Sequence, residues 1–255
     1  MLELYHWEPT SNSGEPLILL KEKGLEFTSH YVDVLAGGQH DPAFLKINRH
    51  AQVPVLIHDG RVITETGFIL QYIEAVFPAP SFTPAIAQDR YWVNVWIKYV
   101  NEYMAPAAWK LGVHKAMAAQ LKGHDVARLR AGIARAPLER QQAWKMALDG
   151  GLDATGLEIA KSLPPLRLAR MQEALAISDW LAGPSYSLAD IVAFPTVAAL
   201  PGLTPDLVNA QATPRIMAWI ARVKARPAVQ AALAMARTPA PEAAFAPGPE
   251  GSRWG

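Results

Sequence analysis

The chain has 255 residues, 51% of them hydrophobic, which supplies apolar side chains for two modest cores. Charged residues are 18%, against about 25% in an average soluble protein, and the formal net charge is +1. No electrostatic excess therefore draws the chain to a nucleic-acid backbone or an anionic membrane. No apolar run approaches the about 18 residues of a membrane span, and Leu2-Glu3-Leu4-Tyr5 opens as a strand rather than a signal peptide, so a soluble cytoplasmic protein is expected. There are no cysteines, so any thiol chemistry must use the thiol of a bound ligand.

Leu2 to His6 alternates apolar and polar and predicts a first strand, followed by a loop from Trp7 to Gly14. Pro16 to Lys23 predicts a helix, with Ser13 able to cap its N–H groups, Pro16 suited to the first turn and Gly24 as the stop. A second strand is expected from Phe27 to Val34 and a short helix from Asp41 to Ile47. Ala51 to Phe68, AQVPVLIHDGRVITETGF, then reads as an antiparallel hairpin closed by Asp59-Gly60 and ending on a helix N-terminus. If the Val53-Pro54 bond is cis, the Val53 backbone can pair with an extended peptide as an added strand would. The N–H groups at Glu65, Thr66 and Gly67 would favour a carboxylate, so the hairpin suits a small acidic peptide. The helix 65–77 ends at Pro78, and Pro78, Pro80 and Pro84 mark a linker, placed at 81–87.

Everything after that linker reads as helical. Trp92, Val95, Trp96, Tyr99, Val100 and Tyr103 recur at three- and four-residue steps from about Gln88, a pattern of core or pocket-lining aromatics. Ala116 to Ala147 is amphipathic with a basic, solvated face; Gly150 to Gly156 breaks it, and Leu166 to Leu181 makes another helix. Ser187 as N-cap and Asp190 at the third helical position form a capping box, a folding device rather than a catalytic pair. Pro214 to Ala225 and Pro227 to Arg237 supply the last helices, and the Pro/Ala/Gly-rich end from Thr238 is expected to be irregular. The division is thus 1–80, a linker 81–87, 88–237 and a tail 238–255. The histidines lack H-E-x-x-H spacing, which leaves a metal site unsupported, and G-x-S-x-G, a P-loop and G-x-G-x-x-G are absent.

The Val53-Pro54 step, the hairpin and Glu65-Thr66 opening a helix resemble the glutathione site of the thioredoxin-fold glutathione transferases. The Ser187-x-x-Asp190 box stands where that family starts the buried helix of its all-α domain. The resemblance implies a thioredoxin-like α/β domain followed by an all-helical domain, glutathione as co-substrate, a hydrophobic aromatic second substrate and a homodimer. It also implies that the residue activating the glutathione sulfur lies in Thr10-Ser11-Asn12-Ser13, with Ser13, Asn12 and Thr10 as candidates. A hydroxyl or amide N–H can donate to a thiolate, and a helix N-terminus lowers a thiol pKa from about 8.5 toward neutrality. Ser13 could equally be a simple helix cap, and Tyr5 lies too early, inside the strand, to take this role.

For the rest of glutathione, the resemblance implies that Val53, beside Pro54, pairs through its backbone with the cysteinyl part and that Glu65 and Thr66 hold the γ-glutamyl end. Gln39, His40 and Gln52 stand where the glycyl carboxylate is commonly met, although His40 could equally be an exposed loop residue. Asn12-Ser13 with Pro16, Glu22 to Phe27, Gln39-His40 and Pro137-x-Glu139-x-Gln141-Gln142-x-Trp144-Lys145 resemble the bacterial β-etherases, departing at Leu138 and Arg140. That subfamily implies thiolate attack on the carbon α to an aryl ketone in a lignin-derived β-aryl ether, with Trp96, Tyr99, Tyr103, Trp109 and Trp144 as candidates to stack on the aryl rings or to pack the core. A glutathione-dependent disulfide or peroxide reductase, permitted by Thr10-x-Asn12, and a non-catalytic binding protein of the same fold are the competing readings.

Overall fold

The computed structural model describes residues 1–239 and 241–245, with backbone alone at 163–166. Strand β1 (Leu2–His6) turns Leu2, Leu4 and His6 into the interior while Glu3 and Tyr5 stay half-buried, the alternation the sequence carries. Helix α1 (Gly14–Glu22) buries four successive residues, Leu17 to Leu20, and is therefore covered on every side. Strand β2 (Thr28–Tyr31) runs parallel to β1, pairing Glu3 with Thr28 and His6 with Tyr31. A single 3-10 turn (Gly38–His40) and helix α2 (Pro42–Ile47) lead to strands β3 (Val55–His58) and β4 (Arg61–Ile63). Asp59 and Gly60 take φ of 48° and 79°, the two positive values of a primed hairpin turn. Helix α3 (Thr66–Val76) completes the unit, and the mixed sheet has the order β2-β1-β3-β4.

The remainder is helical. Helix α4 (Ala87–Tyr99) runs through a π turn (Val100–Met104) into α5 (Ala105–Gln120). Pro106 sits in the first turn of α5; its missing N–H and its ring disfavour the ordinary helical bond at that step, and a wider turn accommodates it. The expected single amphipathic stretch from Ala116 to Ala147 is instead the end of α5, helix α6 (Val126–Ile133) and helix α7 (Leu138–Leu148). Asp125 accepts the Arg128 N–H at 2.9 Å to open α6, and Pro137 precedes α7. Helix α8 (Ala154–Ile177) begins well before the expected Leu166, because Asp153 caps it by accepting the Gly156 N–H at 2.7 Å.

Helix α9 (Leu188–Leu203) is the buried axis of this half, opened by the capping box of Ser187 and Asp190. The Asp190 carboxylate also accepts from the Leu181 N–H at 3.0 Å and the Trp219 indole N–H at 2.8 Å. Helices α10 (Pro214–Lys224) and α11 (Pro227–Leu233) follow. Beyond α11 the chain is more ordered than its composition predicts: Pro241–Ala243 forms a 3-10 turn, and Ala244 and Phe245 are buried. The expected tail from 246 onward lies outside the described residues.

Lys23 ties the end of the first half to itself, and Arg226 is one of the polar ties that join the two halves. Lys23, buried at the end of α1, reaches Glu74 at 2.6 Å and the carbonyls of Phe77 and Pro80 at 2.7 Å each. Arg226, just before α11, makes a two-pronged bond to Glu22 at 2.5 and 2.8 Å.

Candidate active site

The loop between β1 and α1 folds back on itself. The Glu8 carbonyl accepts from the Ser11 N–H at 3.0 Å and the Ser11 hydroxyl at 2.6 Å, and the Ser11 oxygen accepts the Ser13 N–H at 3.2 Å. Gly14 is required here, since a Cβ would stand 1.9 Å from the Pro9 carbonyl oxygen. Ser13 does not cap α1. Its backbone is already helical, with φ −65° and ψ −21°, and its buried hydroxyl accepts the Trp7 N–H at 3.0 Å. Accepting that bond leaves the hydroxyl hydrogen available for donation. Asn12, half-buried, donates one amide hydrogen to the Val53 carbonyl at 3.2 Å and retains a second. Thr10 spends its hydroxyl hydrogen on the Pro241 carbonyl, a partner no local pattern announces. Of the three candidates, then, Ser13 and Asn12 keep a donor.

The Asn12 bond joins this loop to the segment before β3. Asn48 organises that segment, donating to the Gln52 carbonyl at 2.9 Å and accepting the His50 N–H at 3.0 Å, and the Val53-Pro54 bond is cis. Ahead of α3, Glu65 holds φ 64°, and its carbonyl accepts the N–H groups of Phe68 and Ile69, both at 2.9 Å. Thr66 and Gly67 thus head the helix with N–H groups that no preceding turn can satisfy.

Gln39 and His40 are buried rather than exposed in a loop. Gln39 Nε2 and His40 Nε2 are 3.1 Å apart, the His40 ring packs edge-on against fully buried Trp144 at 6.2 Å, and Gly132 of α6 leaves room for it. Arg135 donates to the His40 carbonyl at 3.2 and 3.1 Å. Burial, then the positive charges of Arg140 and Arg135, lower the His40 pKa to about 4, so its ring is neutral at physiological pH and the cations nearby are the two arginines. Burial also pushes the Glu15 carboxyl well above its ordinary value, which reduces the negative charge it places at the start of α1.

Trp96, Tyr99 and Tyr103 form one aromatic row along α4 and the π turn, with ring centres 5.5 and 5.7 Å apart. Arg170 lies 4.6 Å from the Tyr99 ring and 5.6 Å from Trp96, and Arg167 lies 5.9 Å from Tyr103. Trp109 is half-buried on α5, and Trp144 belongs with His40 rather than with the row. Glu8, Arg135 and Gly112 have no sequence signature; Arg140 stands inside the Pro137-to-Lys145 stretch without any sign that it would face His40. Among the described residues no group of three or more His, Asp or Glu could hold a metal ion, and no helix is long and apolar enough to cross a membrane.

A four-stranded mixed sheet with a cis-proline hairpin, followed by a helical domain built on a capped buried helix, defines a glutathione-transferase architecture. Residues 1–75 match the family described as "Glutathione S-transferase, N-terminal domain" and residues 157–227 the one described as "Glutathione S-transferase, C-terminal domain". The chain is 37% identical over 242 residues to "Protein LigF" of Sphingobium sp. (strain NBRC 103272 / SYK-6), covering 90% of this chain and 91% of that one. This chain belongs to the glutathione S-transferase family. The crystal structure described as "Beta-etherase LigF from Sphingobium sp. strain SYK-6" superposes with a TM-score of 0.86 at 36% identity, covering 91% of this chain and 98% of that one. "Glutathione S-transferase 3" of Zea mays is 27% identical over 253 residues, covering 96% and 99% of the two chains.

Proposed function

We propose that this protein is a β-etherase: it uses glutathione to cleave the β-O-4 aryl ether of lignin-derived aryl ketones. The observation that carries this reading is the full-length likeness to LigF, 37% in sequence and 0.86 in TM-score. The division of labour follows: residues 1–80 bind glutathione, and 88–237 hold the aromatic substrate. The Val53 backbone pairs with the cysteinyl part, and the head of α3 at Glu65 and Thr66 takes the γ-glutamyl end, its N–H groups meeting the carboxylate. The glycyl carboxylate lies toward Gln39, Gln52 and neutral His40, with Arg135 and Arg140 supplying the positive potential. Ser13 and Asn12 donate to the sulfur, and the N-terminus of α1 adds its positive end.

The thiol proton passes to solvent. The thiolate then attacks the carbon α to the ketone; the C–S bond forms as the C–O bond breaks, the electron pair leaves with the phenolate, and water protonates it to phenol. The ketone activates that carbon, so the protein's task is to supply and orient the thiolate. The row Trp96, Tyr99, Tyr103, and the half-buried Trp109 on α5, offer rings for stacking on the aryl groups. The Thr10–Pro241 contact withdraws the hydroxyl on which the reductase reading relies.

A homodimer belongs to this reading, supported by Phe68, Tyr91 and Trp92, large apolar side chains that a single copy leaves exposed; light scattering tests it. So does a cytoplasmic location, where reduced glutathione is maintained. The experiment is incubation of a β-O-4 aryl ketone dimer with and without glutathione. Phenol release and a glutathione thioether that both require glutathione are expected; no release while glutathione still raises the melting temperature would overturn the etherase reading.

A further inference from the structure

The segment after α11 crosses from one domain to the other over the loop that carries the thiol-activating candidates. At its near end the buried Glu8 carboxylate accepts the N–H groups of Arg237, at 3.1 and 3.2 Å, and of Thr238, at 3.0 Å. The Tyr31 hydroxyl adds a bond to the same carboxylate at 2.5 Å, and the Arg237 guanidinium lies 4.6 Å from the Tyr31 ring. Glu8 is also the residue whose carbonyl holds both the N–H and the hydroxyl of Ser11, so one residue fastens the loop and the segment together. In the middle, the Pro241 carbonyl takes the Thr10 hydroxyl. At the far end Phe245 is buried against α5: its N–H donates to Gln120 Oε1 at 3.0 Å, and its ring fills the space over Gly112, where a Cβ would stand 2.2 Å from ring carbons.

We propose that residues 237–239 and 241–245 act as a strap that holds the β1–α1 loop in its thiol-activating shape, with Glu8 as the positioning residue that fastens it and Gly112 as the seat of its far end. This rests on the glutathione site assigned above. A buried carboxylate needs its donors, and the strap supplies two backbone N–H groups that nothing on the loop replaces. Losing the strap leaves Glu8 with the Tyr31 hydroxyl alone and releases Thr10, and the loop that points Ser13 and Asn12 at the sulfur loses its outer support. The effect falls mainly on ionisation of the bound thiol, because Glu65 and Thr66 lie on another segment and Val53 touches the loop only through the Asn12 amide.

Gly112→Ala evicts the Phe245 ring while strengthening α5, since alanine is the better helix former; Phe245→Ala removes the ring itself. Both are made in the full-length chain, and thiolate absorbance of the glutathione complex is followed against pH. Each variant is expected to form about tenfold less thiolate at neutral pH, a rise of about one unit in the midpoint. S-methylglutathione, which has no thiol proton, is expected to bind all forms with equal affinity. Glu8→Gln, which keeps an acceptor for the Thr238 N–H, should retain more thiolate than Glu8→Ala, and exchange of the Thr238 amide should quicken in step with the loss. An unchanged thiol midpoint in Gly112→Ala and Phe245→Ala overturns the strap and leaves the glutathione site standing. Failure of the unaltered protein to bind S-methylglutathione overturns that site, and the strap with it.

Discussion

Replacing His40 with glutamine tests whether burial, together with Arg140 of α7 and Arg135 in the turn before it, keeps this ring neutral. The His40 pKa of about 4 in the folded chain, against 6.5 when solvated, means that between those values the unfolded chain binds a proton the folded chain refuses. Stability contributed by the neutral ring is therefore complete above 6.5 and is lost as the pH falls toward 4. Each pH unit in that interval is worth about 1.4 kcal/mol, so up to about 3 kcal/mol disappears across it. Asp190 drifts the other way: burial raises its carboxyl to about 6 despite the hydrogen bonds it accepts, so its contribution is greatest in acid and declines as pH rises through 6. Asp190 is present in both chains and lies in a separate network, so it cancels in the difference. Urea unfolding of the unaltered protein and of His40→Gln, from neutral pH to about 4, should show the advantage of the unaltered protein shrinking by that amount. A difference that does not vary with pH would refute the argument, because it would mean that His40 titrates as a solvated ring.

Ser13→Ala should raise the midpoint of bound-thiol ionisation and also cost about 1–3 kcal/mol, because the buried Trp7 N–H loses its acceptor; thiolate absorbance and urea melts read the two effects separately. Asn12→Ala should raise the same midpoint with a smaller stability change, since it removes one part-buried amide-to-carbonyl bond, worth about 0.5–1.5 kcal/mol. Asp190→Ala should be the most disruptive to folding, leaving donors from Ser187, Leu181 and Trp219 unmet, with a loss of about 3 kcal/mol or more measured by calorimetry. Lys23→Met leaves Glu74 only the Phe82 N–H and the Ser81 hydroxyl and frees the carbonyls of Phe77 and Pro80, for which about 1–3 kcal/mol is expected by denaturant unfolding.

The features legible in the sequence are those a short stretch decides alone. Asp59-Gly60 closes a hairpin because both residues tolerate positive φ, and Ser187 with Asp190 opens α9 because cap and carboxylate lie three residues apart. Ser13 looked equally like a cap, but capping also needs a non-helical backbone at that residue, and the loop's folding onto Glu8 had already made Ser13 helical. Ala116 to Ala147 kept one polar face through three helices, so periodicity missed the breaks at Asp125 and Pro137, although Pro137 was itself a stop signal.

The groups that resisted reading share a different property. Glu8 with Thr238, Thr10 with Pro241, Gly112 with Phe245 and His40 with Arg135 each join residues far apart in sequence, and neither partner carries a mark of the other. These ties all run from the thioredoxin-like half or α5 to segments that composition assigned to a solvated face or an irregular end. If the proposed site and strap hold, thiol activation would depend on packing by the second domain as well as on the loop that supplies the donors, which is why the variant at Gly112, outside the loop, is the informative one for it.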